Sequence, residues 1–85
     1  FPNEVEDVAV THPGVLEAAV IGVPDARSGQ AVKLFVVRRD PMLDKAELTK
    51  YLHGRLAGYK VPSRIEYVDN LPKSNIGKIL RKELH

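Results

Sequence analysis

The sequence predicts a small α+β domain, with helices packed on a three-stranded sheet in the order α-β-β-α-β-α. Three observations predict it. Two apolar runs flank a short polar loop, two amphipathic stretches carry helix-capping residues, and no repeat or low-complexity tract interrupts them. With 85 residues the chain has the length of one small domain, of modest burial and marginal stability.

The first helix is expected over residues 3–12. Asn3 is a good N-cap, Glu6 stands at the capping-box position, and Glu4, Glu6 and Asp7 place negative charge in the first turn, where the helix dipole favours it. Val5, Val8 and Ala9 share a face, and Thr11-His12-Pro13-Gly14 stops the helix. Leu16 to Val23 and Ala31 to Val37 are almost wholly apolar, broken by Glu17 and Lys33, and read as strands buried on both faces. The polar loop Pro24–Gln30 between them has hairpin length, so the strands should be antiparallel neighbours. Asp44 caps a second helix, with Glu47 at the box position and Leu48, Tyr51, Leu52 and Leu56 at helical spacing through residue 56. Gly58 ends that helix, Pro62 blocks its restart, and Arg64 to Val68 alternates like a half-buried strand. Asp69-Asn70-Leu71-Pro72 is a turn, residues 73–77 form a polar loop, and Ile79 to Leu84 suggests a final short helix.

Composition excludes several chemistries. There is no cysteine, hence no disulfide and no thiol catalysis, and His12, His53 and His85 lack the close spacing of a zinc site. No apolar run approaches the roughly 20 residues of a membrane span, and no signal-peptide pattern is present. The reading is a soluble intracellular protein. Phe1-Pro2-Asn3 opens inside a helix entry without an initiating Met, as in a piece of a longer chain.

The net charge of +2 hides a sharp segregation. Residues 1–26 hold five acids (Glu4, Glu6, Asp7, Glu17, Asp25) and no Lys or Arg, while residues 27–85 hold all 13 bases against six acids. The basic end, with Lys73, Lys78, Arg81 and Lys82, can face phosphate, nucleic acid or an acidic partner, or can be a solvated surface. If Ser74 or Asn75 caps the last helix, Lys78 falls in its first turn, where a cation opposes the macrodipole by about 0.3–1 kcal/mol. A chain bearing that cost can be presenting charge to an anion, and Gly77 would let the backbone come close to it. An exposed lysine on a frayed terminal helix is the other reading, and these rules alone do not choose.

The segment Pro72-Lys73-Ser74-Asn75-Ile76-Gly77-Lys78-Ile79-Leu80-Arg81 resembles the C-terminal signature of the adenylate-forming superfamily, Pro-Lys-three residues-Gly-Lys-two residues-Arg. Three further pieces agree in order and spacing. Pro2-Asn3-Glu4-Val5-Glu6 resembles the family's helix entry after its hinge. Gly22-Val23-Pro24-Asp25 followed by Gly29-Gln30 and the second apolar run resembles its strand pair. Gly58-Tyr59-Lys60-Val61-Pro62 resembles its second signature. The resemblance covers essentially the whole chain, and its wording is most similar to bacterial enzymes acting on medium- or long-chain fatty acids.

The resemblance implies that residues 1–85 are the small mobile C-terminal domain of a two-domain AMP-forming acyl-CoA synthetase, converting fatty acid, ATP and CoA to acyl-CoA, AMP and diphosphate. The large N-terminal domain is the implied partner; it binds ATP, with Mg2+, and the acid. No nucleic acid and no transmembrane segment are implied. The location is cytoplasmic, with membrane contact, if any, made through the missing domain. Lys78 falls on the adenylation lysine, whose ammonium would stabilise charge gathering on the phosphoryl oxygens. Gly77 and Lys60 are candidate nucleotide or substrate contacts, Lys60 toward the large domain or a CoA phosphate; an exposed loop lysine is its plainer reading. Arg27 lies in the loop where some relatives carry an arginine for the CoA 3′-phosphate, offset by one residue. His53 reads as a surface residue, His12 as part of a helix stop, and Glu4 and Glu6 as helix-start residues only. Other members of the superfamily, acting on aryl acids or acylating a carrier protein, remain alternatives. A free-standing basic binding module is a third, though no aromatic residues interleave the basic ones as nucleic-acid stacking requires.

Overall fold

The computed structural model describes residues 2–27 and 29–85; Phe1, in the predicted helix entry, and Ser28, in the predicted hairpin loop, lie outside them. Helix α1 spans Pro2–Ala9. It starts ahead of Asn3, so Asn3 lies inside the helix rather than capping it, and the Glu6 carboxylate accepts the Val20 N–H of the sheet instead of closing a capping box. Val5 and Ala9 are buried as the apolar spacing predicts.

Strands β1 (Val15–Asp25) and β2 (Gly29–Arg38) form the antiparallel hairpin. The turn is tighter than predicted. Pro24 pairs with Gln30 and Asp25 with Gly29, so the ends of the polar loop continue the ladder. Gly29 has φ 85°, a left-handed conformation that glycine adopts without the Cβ penalty. Strand β3 (Arg64–Tyr67) adds to β2 in parallel, giving the order β1-β2-β3. A parallel partner requires a crossover, and helix α2 (Lys45–His53) lies in it. Asp44 caps α2 as predicted, its Oδ1 accepting the Glu47 N–H at 2.7 Å. The helix ends at Gly54, earlier than the expected residue 56, although Leu56 stays buried.

Both faces of the hairpin are buried over Ala18–Val20 and Leu34–Val37, as the apolar runs predict, but Leu16 is exposed and the end toward the turn, from Ile21 and Lys33 onward, is half-buried to exposed because neither helix nor tail covers it fully. On one face Ala18, Val20, Leu34 and Val36 pack with α1 and with Leu48 and Leu52 of α2. On the other, Ala19, Phe35 and Val37 are covered by no long helix but by the C-terminal segment, through Leu71, Ile79 and Leu84. That segment is not the predicted helix over 79–84. It is a hairpin bridged at Lys73 and Ile79, followed by one 3-10 turn at Arg81–Glu83. The Leu80 N–H is committed to the Pro72 carbonyl at 2.9 Å and Ser74 N–H to Lys78 O at 2.8 Å, so backbone groups a helix would use serve the hairpin.

Candidate functional site

The C-terminal hairpin is built to hold one short loop in place. Ser74, Asn75, Ile76 and Gly77 close a turn, with the Gly77 N–H donating to the Ser74 carbonyl at 2.9 Å. Gly77 has φ 83°, the left-handed position that a three-residue hairpin loop assigns to glycine. A Cβ there would meet nothing within 4 Å, so backbone conformation, not space, demands the glycine. The Lys78 N–H then donates to Ser74 Oγ at 3.2 Å. Lys78 therefore does not sit in the first turn of a helix, and the predicted conflict with a macrodipole does not arise.

What distinguishes Lys78 is its electrostatic surroundings. Lys73, on the opposite arm, is ion-paired to Glu17 of β1 at 2.5 Å. Arg81, three residues on, holds Glu6 through two bonds, Nη2 to Oε1 at 2.5 Å and Nε to Oε2 at 3.1 Å. Neither is the free cation that the basic tail suggests. Lys78 is exposed, and among the described residues no acid pairs with it. Lys82 is exposed as well, but it stands on the terminal 3-10 turn rather than on the hairpin. Ile76 at the loop tip is 87% exposed, an apolar side chain beside an available ammonium.

The other candidate residues lie elsewhere. Lys60 is on a 3-10 turn, Gly58–Lys60, and its Nζ donates to Glu4 Oε1 at 2.8 Å. That hydrogen bond holds the Lys60 ammonium above the ordinary lysine range, against a smaller opposing effect of burial. With Tyr59 it borders a mostly apolar cleft of about 260 Å³ between α1 and the β1–β2 hairpin, walled by Val5, Val20, Ala31 and Val32. Arg27 is exposed in the hairpin turn, its N–H on Asp25 Oδ1 at 3.2 Å. Asp25 lies eight residues along β1 from Glu17, the anchor of Lys73; at about 3.3 Å per residue this puts the turn bearing Arg27 some 26 Å along the sheet. The structure thus joins Gly77 and Lys78 in one loop and sets Lys60 and Arg27 at separate places.

The histidines are structural or superficial. His12 is buried against Tyr51, with ring centroids 4.7 Å apart, accepts the Gly14 N–H on Nδ1 at 2.9 Å and bonds Glu47 through Nε2 at 3.2 Å; His53 is exposed. Burial also raises the Tyr67 phenol above its usual range, where its O–H donates to Asp44 O at 2.9 Å. Among the described residues no group of three or more His, Cys, Asp or Glu side chains converges as a metal site, and no helix is long and apolar enough to cross a membrane.

Glu6 and Glu17 are the residues sequence reasoning passes over. As helix-start and strand residues they have sufficient local explanations, yet their carboxylates hold the two arms of the hairpin. The available signal was the charge segregation: three ion pairs, Glu4–Lys60, Glu6–Arg81 and Glu17–Lys73, join the acidic first 26 residues to the basic remainder.

Comparisons with known proteins agree with this layout. The sequence profile of the AMP-binding enzyme C-terminal domain matches residues 4–78, which includes the hairpin through Lys78. A long-chain-fatty-acid–CoA ligase of Escherichia coli O6:H1 is 56% identical over 84 residues, covering 99% of this chain and 15% of the ligase. A feruloyl-CoA synthase of an Amycolatopsis species is 48% identical over 85 residues, again 99% of this chain and 17% of that enzyme. The solved structure of a Mycobacterium tuberculosis fatty acyl CoA synthetase superposes with a TM-score of 0.94 at 36% identity, over 99% of this chain and 17% of that one. The chain therefore spans about a sixth of the relatives it matches, and it belongs to the family of AMP-binding enzyme C-terminal domains.

Proposed function

We propose that this chain is the mobile C-terminal domain of an AMP-forming fatty acid–CoA ligase and that Lys78 is its adenylation lysine. The reaction joins the fatty carboxylate to the α-phosphorus of ATP, releasing diphosphate, and then passes the acyl group to the CoA thiol, releasing AMP. Residues elsewhere in the full-length protein would hold ATP with its Mg2+ and the acid. This domain would bring Lys78 to the phosphates for the first step and withdraw it for the second.

One observation carries the reading. Within a tail whose neighbouring cations Lys73 and Arg81 are ion-paired, the hairpin holds Lys78 exposed and, among the described residues, without an acid. An ammonium so placed suits the task, because negative charge accumulates on the phosphoryl oxygens in the transition state and a positioned cation stabilises it. Lys78 need not act as a base, since the carboxylate nucleophile is already ionised near neutral pH. Gly77 serves by fixing the loop that presents Lys78. Lys60, bonded to Glu4, would contact the large domain or a CoA phosphate, and Arg27, in an exposed turn, would contact a phosphate on CoA.

The test is Lys78→Ala in the full-length protein, with the two half-reactions measured separately. Adenylation should fall by about 100- to 1,000-fold, the usual cost of deleting one such electrostatic contact, while thioester formation from supplied acyl-adenylate stays near its original rate. Equal loss in both half-reactions would remove the assigned role. The feruloyl-CoA synthase likeness favours a second reading, an aryl acid as substrate; comparing kcat/KM for a long-chain fatty acid and a hydroxycinnamic acid distinguishes the two.

A further inference from the structure

We infer that Glu6 and Arg81 are positioning residues for adenylation: their ion pair fixes the hairpin arm from which Lys78 projects. The inference rests on the reading of Lys78 given above and adds a second pair of residues to it.

The geometry of the pair is that of a clasp rather than a surface contact. Arg81 presents its guanidinium fork to both oxygens of Glu6, and Glu6 Oε2 also accepts the Val20 N–H at 2.7 Å. One carboxylate therefore joins the tail, α1 and the outer edge of β1. The Glu6 side chain is only 12% exposed, so solvent screens the pair less than it would a fully exposed one. A bidentate guanidinium–carboxylate pair also fixes orientation, which a lysine at the same place would not.

Only Ile79 and Leu80 separate Lys78 from Arg81. Ile79 packs beside Phe35 and Leu71 on the second face of the sheet, and the Leu80 N–H bonds Pro72 O. The other arm is pinned by Lys73 on Glu17. The loop is thus held from both sides by acids attached to α1 and β1. Past Arg81 the chain contributes the end of a three-residue 3-10 turn, the packing of Leu84 and, at its last residue, the His85 carbonyl accepting from Lys33 Nζ at 2.9 Å, so without the clasp the arm following Lys78 loses its ion pair, the polar anchor nearest to Lys78 on the side toward the C-terminus. A displacement of about 1 Å in a group acting on a transition state can cost about 100-fold in rate, which sets the expected scale.

The experiment uses the full-length protein carrying Arg81→Ala, Arg81→Lys or Glu6→Gln, alone and combined with Lys78→Ala. Gln at position 6 keeps an acceptor for the Val20 N–H and so preserves α1 if Arg81→Ala fails to fold. Adenylation kcat should fall by about 10- to 100-fold in Arg81→Ala and Glu6→Gln, with KM for ATP and acid, and the thioester half-reaction, changed less than about twofold. Arg81→Lys should recover part of the loss. The deciding measurement is the double variant: in the Lys78→Ala background, removal of Arg81 should cost almost nothing further, because its effect passes through Lys78. A full additional loss in that background, or equal damage to both half-reactions, would overturn the positioning role and leave Lys78 as assigned. Undiminished adenylation in Lys78→Ala alone would overturn the reading of Lys78 and this inference with it.

Discussion

At the scale of single residues, Gly77 shows how local conformation and presentation of a side chain are one problem. Its φ of 83° closes the loop before Lys78, and a Cβ there would meet no neighbour. Any cost of Gly77→Ala is therefore backbone strain, roughly 1–2 kcal/mol, reduced by the lower unfolded-state entropy of alanine. A net loss of about 1 kcal/mol should lower the melting temperature by about 4–8 °C in a domain of this size, readable by calorimetry. An unchanged melting temperature would show that the loop has another conformation open to it. Gly77 was legible as a special residue from the motif, but its reason was not. The sequence suggests close approach to a ligand, and the structure supplies a left-handed turn that needs glycine before any ligand arrives.

Among elements, the helices and the C-terminal hairpin make opposite cases. Helix α2 is legible because its signals are local: Asp44 caps it, and Leu48 and Leu52 fall on one buried face. Asp44→Ala should cost about 1 kcal/mol, the usual value of a lost cap, seen as a lower denaturation midpoint with unchanged slope. A change below about 0.3 kcal/mol would mean that water replaces the cap without loss. The tail misleads because Leu80 and Leu84 stand four apart and imitate a helical stripe. The competing signal, a polar loop with glycine at its last position before Lys78, is a hairpin signature of equal standing. What decides between them is not local: Ile79 and Leu84 pack in one cluster with Ala19 and Phe35 of the sheet, residues 44 to 65 positions earlier in the chain. The parallel pairing of β3 with β2 is also non-local, set by a crossover rather than by any pattern within the four residues of the strand.

For the whole molecule, the segregated charge finds its explanation. Acids of the first 26 residues meet bases of the later chain in three long-range pairs, so the asymmetry is in part an internal complementarity and not wholly a surface for a partner. A sheet buried on both faces, with helices over one and the tail over the other, gives these residues a core of their own. The isolated 85-residue chain should therefore fold and unfold cooperatively, yet make no acyl-adenylate, because on the function proposed above ATP and the acid are held by the large domain. Detectable adenylate from the isolated chain would contradict this.

The Glu6 carboxylate touches α1, the edge of β1 and the tail at once. In mechanical terms it is a rivet through three parts. It couples α1 to the arm that follows Lys78 through side-chain bonds, beside the Lys73–Glu17 pair that holds the other arm. On the function proposed above, a rotation of the domain would carry the lysine along with its first helix, and the accuracy of its arrival would rest on this joint and on the Lys73–Glu17 pair together.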